Sequence, residues 1–62
     1  MAKVKELIKL ILDDGWFLAR IKGDHRHFKH PSKKGLVTIA GKLSDDLKKG
    51  TENSIMKQAG LN

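Results

Sequence analysis

The chain lacks cysteine and tyrosine, has a single proline, and carries only three aromatic residues, Trp16, Phe17 and Phe28, in 62 positions. Without cysteine there is no disulfide framework and no thiolate metal site, which fits a reducing compartment, and the cytoplasm is the expected setting. A long apolar run is also missing. Leu7 to Leu12 is the most apolar stretch, but Lys9 interrupts it and Asp13 and Asp14 end it, so it is too short and too amphipathic to span a bilayer. No signal or anchor segment is visible, and no membrane association is expected. Acidic residues are few: seven Asp and Glu stand against thirteen Lys and Arg, a formal charge of +6. That excess favours an anionic partner, whether nucleic acid, an acidic protein or a membrane surface. So short a chain has room for one modest core, which excludes a large catalytic cavity and makes stability marginal.

What is present orders the chain into one α+β unit over residues 1–62. Val4, Leu7, Ile8, Ile11 and Leu12 follow the i, i+3, i+4, i+7, i+8 spacing of a helix over 3–14 with one buried face, ended by Gly15. Trp16 to Lys22 reads as a first strand, and Gly23-Asp24 as the turn after it. His25 to His30 reads as a second strand with His25, His27 and Lys29 on one face and Arg26, Phe28 and His30 on the other. Pro31 to Gly35 has the composition of a hairpin connection, and Leu36 to Ala40 makes a third strand closed by Gly41. Lys42 to Gly50 reads as a surface loop anchored by Leu47. Thr51 is the expected N-cap of a last helix bearing Ile55, Met56 and Ala59, with Gly60 just past its end. The predicted order is α-β-β-β-α, a three-stranded antiparallel sheet with two helices on one face. Its core would be Val4, Leu7, Ile8, Ile11, Phe28, Val37, Ile39, Ile55 and Ala59. The other face of the sheet stays open.

That open face is where function is expected. It carries His25, His27 and Lys29, with Arg20, Lys22, Lys33 and Lys34 nearby, and the guest such a surface suits is phosphate. The competing reading of any lysine cluster is a solvated charged surface. Histidine takes and gives a proton near neutrality, so three histidines within six residues point to proton transfer. On RNA the matching reaction is attack of a 2′-hydroxyl on the adjacent phosphate, which requires no metal. His25 is best placed for it, because it directly follows the Gly23-Asp24 turn. His30 lies on the other side, before Pro31, which suits a structural hydrogen bond. His25-Arg26-His27 is also a conceivable chelate, but the spacing of Asp13, Asp14, Asp24, Asp45 and Asp46 matches no zinc or magnesium pattern, so no metal is expected. Ser32, Ser44 and Ser54 lie beside no His/Asp arrangement for nucleophilic catalysis. Trp16, Phe17 and Phe28 can stack on bases, yet with so few aromatics all three are expected in the core.

Taken together, Gly15-Trp16, Arg20, Gly23-Asp24-His25, Phe28, His30-Pro31, Val37-Thr38-Ile39, Gly50-Thr51, Ile55 and the ending Lys57-Gln58-Ala59-Gly60-Leu61 form an ordered pattern over nearly the whole chain. That pattern resembles the HicA family of toxins from bacterial toxin–antitoxin pairs, the YcfA-like mRNA interferases. The resemblance implies a fold like a double-stranded-RNA-binding domain, ribosome-independent cleavage of mRNA, and neutralisation by a HicB-type antitoxin; no cofactor is expected. DNA would be reached only through a toxin–antitoxin complex. The family histidine after the glycine turn falls on His25. Two positions depart from the family pattern: Asp24 stands where a serine is usual, and Ala40-Gly41-Lys42 where many members have a proline and a further histidine. The resemblance thus leaves Lys42 to supply charge at that place. The alternatives to an endoribonuclease are a non-catalytic RNA-binding module and a protein-interaction domain of the same fold.

Overall fold

The computed structural model describes residues 2–61 of the chain. Helix α1 spans Val4–Asp13, strands β1, β2 and β3 span Phe17–Lys22, His25–Lys29 and Val37–Ala40, and helix α2 spans Lys49–Gln58. The strands form one antiparallel sheet in the order β1-β2-β3, as the sequence predicts. Element ends differ from the predicted ones by a residue, the usual fraying of termini, except at α2. Thr51 is not its N-cap. The helix begins at Lys49 with Lys48 as the cap residue, so Thr51 sits inside the first turn.

The spacing that predicts α1 also explains its packing. Val4, Leu7 and Ile11 lie on one stripe and are buried against Phe28, Val37 and Ile39 of the sheet and Ile55 and Ala59 of the second helix region. Ile8 packs on the margin of this core rather than inside it. Trp16 and Leu47 complete it, both buried. The loop before α2 does more than cross the surface. Its Asp45 and Leu43 carbonyls accept from the Val4 and Lys5 N–H groups at 2.9 and 3.1 Å, satisfying two donors that the first turn of α1 leaves free. Glu6 Oε1 accepts from the Lys3 N–H at 2.7 Å, and Lys3 Nζ pairs with Asp46 at 3.0 Å. The two ends of the chain's hydrophobic pattern are thereby joined before the sheet is considered.

Phe17 corrects the expectation that every aromatic is core: it is 48% exposed. Its Cα partner across the ladder is Lys29, which puts it on the uncovered face of the sheet. The whole of β1 behaves differently from its neighbours, because each of its six residues is exposed. The helices pack towards β3, and β1 is held by its ladder to β2.

Candidate nucleic-acid interface

The register sorts the uncovered face into three rows. Lys22, His25 and Ala40 lie at the end nearest the β1–β2 turn, Arg20, His27 and Thr38 in the middle, and Phe17 and Lys29 at the far end. Alternation along each strand produces this arrangement, since residues two apart share a face. The pairing slips between Leu18 and Arg20, so Ala19 forms a β-bulge in the middle of β1. Four of the predicted site residues on the first two strands, Arg20, Lys22, His27 and Lys29, therefore share the face of His25.

The turn end is held by hydrogen bonds that converge on it. Gly23 has φ +61° while among the described residues no non-glycine residue has positive φ, which gives the two-residue connection the signs of a type II′ hairpin turn. The Gly41 N–H donates to the Asp24 carbonyl at 3.1 Å, and Arg26 Nη1 donates to the Gly41 carbonyl at 2.7 Å. Both bonds clamp the turn against the end of β3. His25 Nδ1 lies 3.2 Å from Asp24 Oδ1, with the two side chains 55% and 68% exposed. At that exposure the contact orients the ring more than it stabilises the fold. Lys42, directly after Gly41, is exposed and its N–H donates to Asp45 Oδ2 at 3.0 Å. In the middle row, His27 is half-buried and its Nδ1 is 3.1 Å from Thr38 Oγ1.

Not every predicted residue joins this face. Lys33 Nζ pairs with the Asp14 carboxylate and donates to the Ala59 carbonyl at 3.0 Å, which commits its charge to the junction of the two helix ends. Lys34 is exposed in the β2–β3 connection. His30 is structural, as its place before Pro31 suggests. Its Nδ1 accepts from the Ser32 and Lys33 N–H groups, each at 3.1 Å, so Nε2 carries the proton and donates to the Asp14 carbonyl at 2.8 Å. The ring stands edge-on to Trp16, centroids 5.2 Å apart. The hydrogen-bonded Lys33 ammonium holds the Asp14 carboxyl below its ordinary range, with the His30 side adding a smaller push in the same direction. Arg26 is the positioning residue that sequence reasoning passed over. A cation on the core-facing side of a central strand is the signal that finds it.

Two recesses among the described residues bear on the site. One of about 500 Å³ lies in the helix layer, lined by Leu7, Leu10 and Met56 with Glu6, Glu52 and Lys49, and it shares no residue with the sheet face. The other, about 300 Å³, opens on the sheet face between Ala19, Arg20, His27, Lys29 and Leu36. Among the described residues no three His, Asp or Glu side chains group as metal ligands do, and no helix is long and apolar enough to cross a membrane.

A three-stranded antiparallel sheet backed by two helices in the order α-β-β-β-α defines the class: a protein with a fold like the double-stranded-RNA-binding domain. The family model described as the HicA toxin of bacterial toxin–antitoxin systems matches residues 4–61. The chain belongs to that family, and is accordingly a toxin of the kind that is paired with an antitoxin. Comparison with curated proteins gives no match.

Proposed function

We propose that the protein is a metal-independent endoribonuclease that cleaves mRNA on the uncovered sheet face, with His25 as the general base. The observation that carries this reading is His25 itself: an exposed imidazole with Asp24 Oδ1 3.2 Å from Nδ1, set among cationic side chains at the clamped end of the sheet. A carboxylate at Nδ1 favours a proton there and leaves the Nε2 lone pair towards solvent, ready to accept the proton of a 2′-hydroxyl. The freed oxygen attacks the adjacent phosphorus, the O2′–P bond forms, the P–O5′ bond breaks, and the departing 5′ oxygen takes a proton from water. The products are a 2′,3′-cyclic phosphate and a 5′-hydroxyl end. Arg20, Lys22, Lys29 and Lys42 hold the phosphate backbone and stabilise the charge that builds on it. DNA, without the 2′-hydroxyl, is not a substrate.

The single 1–62 domain acts in the cytoplasm, and a HicB-type antitoxin neutralises it by covering this face. Such a complex is the route by which the protein meets DNA. The test is cleavage of single-stranded RNA in EDTA by the parent protein and by His25→Ala. Cleavage by the parent that falls by about 10²–10⁴ in the variant, the usual worth of a general base, supports the reading. Intact RNA with both proteins, or equal cutting by both, sinks it; tight binding without new ends leaves a non-catalytic RNA-binding module in its place.

A further inference from the structure

The 300 Å³ recess beside His27 is built unlike the rest of the face. It is lined by two apolar side chains, Ala19 and Leu36, by two cations, Arg20 and Lys29, and by His27. Three features give it a defined shape. The bulge at Ala19 bends β1 and sets Ala19 beside Arg20 opposite His27, where a regular ladder would place one residue. Leu36 is 49% exposed and Phe17, in the neighbouring row of the same face, 48% exposed. His27 has its Nδ1 occupied by Thr38 Oγ1, which fixes the ring and leaves Nε2 as its one polar atom for a guest.

We infer that this recess holds one unpaired base of the RNA next to the scissile bond, and so determines where the chain is cut. The inference rests on the RNA reading given above and adds the substrate class: single-stranded RNA, read one base at a time. A base has an apolar face, a polar edge and a phosphate on either side, and the recess offers an apolar wall, one fixed polar atom and two cations in the matching places. Its volume is at the lower end of small-molecule sites and is enough for a flipped-out base. His27 lies two residues from His25 along β2, about 6.6–6.8 Å, a separation that one nucleotide step bridges. Phe17 adds a surface on which the next base can stack.

The experiment separates binding from cutting. The His25→Ala protein is titrated with a labelled five-nucleotide single-stranded RNA and with five versions of it, each bearing an abasic residue at one position, at fixed salt by fluorescence anisotropy. One abasic position is expected to weaken binding about tenfold, and Leu36→Asp, at an exposed site, to erase that dependence on position. Ala19→Leu fills the recess from the bulge side and is expected to do the same. Equal affinity for all five abasic RNAs overturns the inference, as does a position dependence that survives both substitutions. RNA that binds without position dependence removes the base pocket alone and leaves cleavage by His25 to its own assay; an absence of RNA binding removes both.

Discussion

β2 begins at one histidine and is followed directly by another, and its two ends treat them in opposite ways. At the His30 end the imidazole is buried to 9% side-chain exposure and both ring nitrogens are occupied, by the Asp14 carbonyl on one side and two backbone N–H groups on the other. At the His25 end the ring is more than half exposed and touches one carboxylate. A histidine with every lone pair and proton committed is a structural cross-link, whereas one with a free nitrogen facing water can exchange protons with a guest. The difference lies in the neighbours and is invisible in the residue type. The glycines repeat it: Gly15 packs on the His30 ring, while Gly23 turns in open space.

That contrast can be broken most forcefully at Gly15. An alanine there meets φ +106° and places its Cβ 2.8 Å from His30 Nε2, so Gly15→Ala is expected to lose roughly 2–4 kcal/mol in chemical denaturation. Gly23→Ala, at φ +61° with nothing within 4 Å, should lose only about 1–2 kcal/mol. Equal losses would show that the His30 end is no more tightly built than the turn. A smaller effect is expected from Asp24→Asn, which keeps a polar neighbour for His25 but removes its charge: kcat for RNA cleavage should fall about threefold to tenfold with Tm unchanged. A fall in Tm with kcat intact would make Asp24 a fold residue. The smallest effect is a pH dependence. Because the folded protein holds the Asp14 carboxyl below its ordinary range, its pairing with Lys33 supports the fold at neutral pH, and this support is lost as pH falls through the lowered value. The Tm gap between the parent and Asp14→Asn should therefore narrow on acidification below the ordinary aspartate range. A gap that widens there would contradict the assigned pairing.

The element order and most of the core were legible because they follow from local periodicity. Val4, Leu7 and Ile11 share a helical stripe whatever surrounds them, and Phe28, Val37 and Ile39 alternate as strand residues must. What escaped depends on partners distant in sequence. Lys33 reads as one more basic residue until Asp14 and Ala59 are brought beside it. Phe17 reads as core because aromatics are scarce, yet no helix covers β1. Thr51 has the chemistry of a cap, but the chain after the buried Leu47 turns into helix two residues earlier. At the interface, alternation places His25, His27 and Lys29 on one face, and the bulge at Ala19, which opens the recess beside His27, leaves no mark in the pattern.

None of the buried core residues belongs to β1. The strand therefore keeps its place through its ladder to β2 and not through the core. Arg20, Lys22 and the Ala19 side of the recess are carried on it. A guest that bridges β1 and β2 adds contacts across that ladder. The strand outside the core thus supplies half of the face, and what it presents to a guest is set by its register with β2.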